Sequence, residues 1–292
     1  MNAWPLPLQP GDRVQLAAAS SALQADALER LEAGIDLLER WGLQVDPHPQ
    51  PLRRWGYLAG EDRERAGDVR SDAPLLACVR GGWGSARLLE DPNSPWRSTT
   101  PQWLLGFSDV TSLLWARQAA GIRGGIHGPM LTSLAAEPSW SQERLRQLLF
   151  GEPVPALEGS AWSGGVAEGP LLVGNLTVAT HLLGTRHLPP LQGAILVLED
   201  VGEAPYRLDR MLTHWRLSGA LQQLAGLGFG SFSDCDDPSS GFGLEQVLRE
   251  RSADLGIPVL AGLPVGHEPG NAALPIGRRA RLDASRGSLE LL

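Results

Sequence analysis

Gln102–Ala116 reads QWLLGFSDVTSLLWA. Three apolar residues, Trp103–Leu105, predict a short buried strand, and from about Asp109 the apolar spacing becomes that of a helix. Between them stand a glycine, an aromatic and Ser108. A strand that turns sharply into a helix at a serine holds the hydroxyl out of the sheet. It also aims the first free N–H groups of the helix at whatever that hydroxyl attacks. The usual G-x-S-x-G spelling of such an elbow is half met, because Val110 occupies the place of the second glycine. The same residues fit a quieter role, in which Ser108 caps the helix and Asp109 complements its dipole. This stretch leaves both readings open; a base, an orienting acid and oxyanion donors must come from elsewhere.

Towards the N-terminus, the sequence alternates between strand-like and helix-like runs. Arg13–Ala19, Leu43–Val45 and Leu75–Val79 read as strands. Between them, a helix carries Leu28, Leu31, Ile35 and Leu38 on one face, with Asp26 as its expected cap, and a polar helix is expected over 62–70. This alternation predicts a parallel sheet covered on both faces, whose ligands sit beyond the carboxyl ends of the strands. The third strand runs into RGGWGSARLLE, Arg80–Glu90. Its glycines allow backbone N–H groups to approach an anion closely. The spacing is not that of a dinucleotide loop, so a donor to an oxyanion hole is the better functional reading. A plain glycine turn capped by Ser85 is the other.

Beyond the elbow come a helix to about Ala120, GGIHGPM over Gly124–Met130 and a helix over Ser141–Phe150. His127 is one candidate base; bonded to backbone, it would be structural. Residues 151–169 are rich in glycine, proline and serine and read as a linker. The chain is therefore expected to divide into residues 1–152, a linker at 153–168, and a smaller mixed domain at 169–292. In that second half, strands are expected at Leu171–Val173, Ala194–Leu198, Pro258–Leu260, Ala280–Ala284 and Ser288–Leu292. Helices are expected at Thr177–Leu183, Leu208–Ser218 and Leu244–Ala253. The apolar run ILVL ends in Glu199-Asp200, which sets a carboxylate at a strand edge. His267 follows another apolar segment in a loop with Glu268, Pro269 and Gly270. His48, His181, His187 and His214 lie in helical or surface-like contexts and read as structural.

Composition removes several classes of chemistry. All 25 basic residues are arginine. Without lysine there is no Schiff base, no P-loop, no protein-kinase site and no serine–lysine pair. A serine nucleophile here would draw its base from six histidines. The formal charge of −8 and the lack of basic runs argue against nucleic acid. Cys78 and Cys235 form no metal-spaced pair, and no metal-binding histidine motif occurs. No signal peptide or membrane-spanning run is read, so a reducing cytoplasmic location is expected, with no membrane partner.

Ser108, Glu199 and His267 occur in the order nucleophile, acid, base, as in α/β-hydrolases, although order alone is weak evidence. The words around them are more telling. RGGWGSARLLE, GFSDVTSLLWA, HGPM, GNLTVATHLLGT, ILVLEDVGEAPYRLDRML and GLPVGHEPGNAALPIG closely resemble the LD-carboxypeptidase family, from about residue 10 to 285. That family of serine peptidases includes the murein tetrapeptide carboxypeptidases and the microcin C self-immunity peptidases. The resemblance implies an α/β protein: a flavodoxin-like parallel sheet first, then a smaller β-rich, barrel-like domain, with the active site between them. It implies Ser108 as nucleophile, Glu199 as acid and His267 as base, with the N–H groups of Gly82 and Asp109 as oxyanion donors. A homodimer without metal or cofactor is implied as well. The leaving residue's carboxylate needs a cation or N–H donors. Arg80 is the candidate, surface solvation being its other reading, and Trp83 either packs on substrate or belongs to the rim.

The activity so implied is release of terminal D-alanine from cytoplasmic murein tetrapeptide during peptidoglycan recycling. The segment 151–169 and the loop after Phe229 are short, and in this family such loops help shape substrate choice. An immunity-type peptidase acting on peptidyl or acyl-sulfamoyl nucleotides is therefore the alternative within the family. A non-catalytic binder of small acidic ligands is the alternative outside it.

Overall fold

The computed structural model describes residues 3–94, 96, 97, 100–237, 239 and 241–292. In chain order the first elements are β1 (Arg13–Ala17), α1 (Leu28–Arg40), β2 (Gln44–Asp46), α2 (Asp62–Val69), β3 (Leu75–Cys78), β4 (Trp103–Gly106), α3 (Thr111–Ala119), β5 (Gly125–His127), α4 (Leu131–Leu134) and α5 (Ser139–Phe150). There follow β6 (Leu157–Glu158), β7 (Ser160–Ser163), β8 (Val166–Asn175), α6 (Leu176–Leu182), β9 (Ile195–Val201), α7 (Pro205–Leu217), β10 (Gly226–Ser233), α8 (Leu244–Ser252) and β11 (Val259–Ala261). The last are β12 (Leu274–Pro275), β13 (Arg279–Asp283) and β14 (Ser288–Leu291). The chain forms two compact units, Met1–Val154 with Ala272–Ile276, and Pro155–Asn271 with Gly277–Leu292.

In the first unit the strands lie in the order β12-β5-β4-β3-β1-β2. β1 to β5 are all parallel, so their order 2-1-3-4-5 is that of a doubly wound, flavodoxin-like sheet. Alternate residues serve the two faces. Val14, Leu16, Leu75, Ala77, Trp103 and Leu105 join Leu31 and Leu38 of α1, Leu131 of α4 and Leu149 of α5 in one core. Leu76, Cys78 and Leu104 point the other way and are equally buried, which is why these strands read as unbroken apolar runs. In this topology ligands bind where the order reverses, beyond the ends of β1 and β3.

α1 packs so closely on α4 that a methyl group on Gly34 would sit 2.1 Å from the Leu131 carbonyl oxygen. Gly34→Ala is expected to cost about 2–3 kcal/mol, read as a lower urea midpoint, because backbone on both sides must yield.

The second unit holds the strand order β6-β14-β13-β8-β9-β10-β11-β7. β8, β9, β10 and β11 are parallel, with α6, α7 and α8 as their crossovers. β6 and β7 stand at opposite ends of that order yet are separated by Gly159 alone. The sheet must therefore curl until its edges meet, which makes it barrel-like.

Several local expectations are corrected. Residues 153–168 are not a linker: they supply β6, β7 and the start of β8, because edge pairing with β14 and β11 outweighs their glycine- and proline-rich composition. Gly226–Ser233, for which no strand was expected, lies between β9 and β11. Its glycines hide the usual strand pattern but admit close neighbours, a methyl on Gly228 falling 2.8 Å from Leu263. The chain after Phe229 thus continues as strand to Ser233, and residues 238 and 240 of the following loop lie outside the described residues. Asp26 does not cap α1; it sits within a 3-10 turn, Ala25–Ala27, and makes no side-chain cap bond. Ala272–Ile276 belongs with the first unit, where β12 pairs antiparallel with His127 and Ile126 of β5.

Candidate active site

In the first unit the turn from β4 towards α3 is strained at Ser108. Ser108 has φ +59°, a left-handed value that a side-chain-bearing residue adopts at a cost of about 1–2 kcal/mol. Phe107 before it is extended, and Val110 packs so closely that a methyl on Gly106 would lie 2.7 Å from it. Ser108 opens a 3-10 turn, Ser108–Val110, and Val110 stands at the N-cap position of α3, which begins at Thr111. Ser108 is thus not the N-cap residue of α3, and strain at a serine between strand and helix is what an elbow requires.

The glycine loop after β3 lies against this serine. A methyl on Gly81 would meet the Ser108 Cβ at 3.1 Å and its Oγ at 3.2 Å, so the main chain passes close beside this serine. Gly82 has φ +108°. The loop is pinned on both sides of Gly82: Ser21 N donates to the Gly81 carbonyl (3.3 Å), and Trp83 N donates to Ser21 Oγ (2.9 Å). Ser85 does not cap the turn; its hydroxyl donates to the main-chain oxygen of Asp109 at 2.6 Å. Arg80 is half-buried, one Nη1 donating to the Ala22 carbonyl (2.9 Å), so it is not a freely solvated surface charge. Trp83 is 42% exposed.

His127 is wholly buried in β5, edge-on to Phe107 with ring centroids 5.7 Å apart. It is part of the sheet rather than of a loop. Cys78 in β3 is no rival nucleophile. Burial, with the nearby Asp109 charge, pushes its thiol up to about 12, so it stays protonated.

In the second unit β9 is buried on both faces, so Glu199 and Asp200 enter the interior together. Alternation sends them to opposite faces, and each finds a partner. Asp200 accepts from Asn175 Nδ2, Thr177 N and Oγ1, and Val201 N, which ties it to the start of α6. Its pKa is raised by burial, against those bonds. Glu199, fully buried, holds His267: Nδ1 lies 2.7 Å from Oε2. The His267 loop follows β11 and is braced by Gly266 N donating to Asn271 Oδ1 (3.1 Å). Burial pulls the His267 pKa down, but the bond and charge of Glu199 outweigh it, and the net shift is upward. A carboxylate accepting from Nδ1–H sets the tautomer that leaves the basic lone pair on Nε2. This is an oriented, partly exposed base of raised proton affinity.

The remaining histidines need one correction: His48 is buried rather than surface-like, its Nε2 3.0 Å from Asp68. No cluster suited to a metal ion occurs among the described residues, and no helix among them is long and apolar enough to cross a membrane. The serine network behind the elbow, Ser20, Ser85 and Ser112, escaped sequence reasoning. Its bonds reach up to 89 residues along the chain, and no local pattern announces them.

Comparison with known proteins places the chain in a family. Residues 14–128 match the model of the LD-carboxypeptidase N-terminal domain, and residues 168–282 that of the LD-carboxypeptidase C-terminal domain. A Synechocystis sp. protein to which carboxypeptidase activity is ascribed is 48% identical, over 99% of this chain and 97% of its own. The murein tetrapeptide carboxypeptidase of Pseudomonas aeruginosa is 37% identical, over 95% of each chain. The crystal structure of muramoyltetrapeptide carboxypeptidase from Oxalobacter formigenes superposes with a TM-score of 0.81 at 28% identity, covering 96% of this chain and 97% of that one. With both domain models matched in order, and a relative this similar along its whole length, the chain belongs to the LD-carboxypeptidase family.

Proposed function

We propose that this protein is a serine LD-carboxypeptidase that releases terminal D-alanine from murein tetrapeptide. The observation that carries the reading is the 2.7 Å bond between His267 Nδ1 and the buried Glu199, at the carboxyl ends of a parallel sheet. A serine hydroxyl is a poor nucleophile until a base takes its proton. His267 Nε2 takes the proton of Ser108 as Oγ attacks the carbonyl carbon of the scissile bond. Glu199 holds the imidazole and stabilises the imidazolium, which then protonates the departing amine of D-alanine. Water repeats the sequence on the acyl-enzyme. The N–H groups of Gly82 and Asp109 stabilise the tetrahedral oxyanion, each donor being worth about 3–4 kcal/mol. Arg80 receives the carboxylate of the leaving residue, and Trp83 packs against the peptide. His267 is preferred over His127 because it carries the orienting carboxylate.

By likeness to its family the enzyme works in the cytoplasm as a homodimer, without a metal, and cuts the bond between the L-centre of diaminopimelate and D-alanine. The name of the 37% identical relative supports murein peptide as the substrate class. Product analysis on murein tri-, tetra- and pentapeptide tests this. D-alanine is expected from the tetrapeptide and none from the tripeptide. Turnover of an acyl-sulfamoyl nucleotide with the tetrapeptide untouched would transfer the same chemistry to an immunity-type substrate. Loss of nothing from any of them, with no covalent labelling of Ser108, would leave a ligand-binding protein.

A further inference from the structure

We propose that the Asp109 side chain is the positioning residue of the oxyanion hole, locking the elbow and the glycine loop into one frame. The proposal rests on the acyl-transfer reading above. Asp109 Oδ2 accepts from Ser20 Oγ at 2.6 Å and from Ser85 N at 2.8 Å. Its main-chain oxygen accepts from Ser85 Oγ (2.6 Å) and Ser112 Oγ (2.9 Å). Asp109 and all three serines are buried.

The direction of these bonds decides their purpose. A capping acid bonds the N–H groups of its own helix, two or three residues on. The Asp109 carboxylate instead bonds residues 24 and 89 positions away, on the segment after β3 and on the one after β1. Those are the segments that must stay in register with Ser108 for both donors to face one oxygen. The loop donor Gly82 is bracketed by Ser21 bonds to Gly81 and Trp83, and then by the Asp109 bond to Ser85. Arg65 adds a second tie, its buried Nη1 reaching the carbonyls of both Ala19 and Gly84. Burying a carboxylate is costly unless it is bonded. Its presence behind a strained serine, bridging three segments, fits preorganisation better than local helix stability.

The test compares Asp109→Ala, Asp109→Asn and Ser20→Ala on murein tetrapeptide, with affinities for a phosphonate analogue of the tetrahedral intermediate and for the tripeptide product. Asp109→Ala is expected to lower kcat about 100-fold at nearly constant KM. Phosphonate affinity should fall in parallel while product affinity stays unchanged. Asp109→Asn, which keeps a carbonyl acceptor, should recover to within about tenfold of wild type, and Ser20→Ala should lose about tenfold in kcat. Should Asp109→Ala fail to fold, Ser20→Ala and Asp109→Asn decide. The proposal is overturned if Asp109→Ala, or Ser20→Ala where Asp109→Ala does not fold, keeps kcat within about threefold, or if phosphonate and product affinities fall together. A wild-type enzyme inactive on every murein peptide would instead sink the acyl-transfer reading, and this proposal with it.

Discussion

Ser108→Ala is expected to abolish D-alanine release, with kcat lower by about 10⁶-fold, the loss seen when a serine peptidase loses its nucleophile. The protein should remain folded. Alanine suffers the same left-handed strain at φ +59° as serine, so the unfolding free energy should change by no more than about 0.5 kcal/mol. Ser108→Gly sharpens the result. It is equally inactive, but removes the Cβ clash of the left-handed conformation and should be more stable than Ser108→Ala by up to about 1 kcal/mol. Inactivity with a stability gain separates chemistry from folding. Full activity in Ser108→Ala, measured as free D-alanine, would remove Ser108 from the mechanism.

The second large effect concerns pH. His267 must be neutral to act as a base, and Glu199 holds its pKa above the ordinary 6.5. The acid limb of kcat/KM is therefore expected to have its midpoint above 6.5, activity rising as the imidazolium loses its proton. Glu199→Gln removes both the bond to a charge and the charge itself. Burial, which pulls the imidazole downward, then acts against only the smaller upward pull of the Asp200 charge, and the limb should move to lower pH. At its own optimum the variant should still be slower by about 10⁴-fold, because the amide no longer fixes the productive tautomer or stabilises the imidazolium. A pH–rate profile checks both parts. An unshifted limb in Glu199→Gln would show that the observed titration belongs to another group.

Much of this protein could be read before its coordinates. Periodicity placed β1, β3, β4, α1, α2 and most of the crossover helices, because their apolar faces repeat locally. Flanking words singled out Glu199 and His267, which the structure brings within 2.7 Å of each other. What failed to show were elements whose evidence lies elsewhere in the chain. β10 looks like a glycine-rich loop until β9 and β11 are set beside it, and β12 has two residues and no pattern of its own. His127 reads as a loop residue until its strand is seen to be sandwiched between β4 and β12.

The sequence by itself determined the doubly wound architecture of the first half and the absence of lysine chemistry. Both follow from composition or from short-range pattern. The tertiary structure alone decided that Ser108 is held left-handed, that Glu199 rather than Asp200 meets the histidine, and that Asp109 reaches across to Ser20 and Ser85. Those facts depend on which distant segments pack together. A hydrogen bond spanning 89 residues is created by the sheet order and leaves no trace in the spacing of neighbours along the chain.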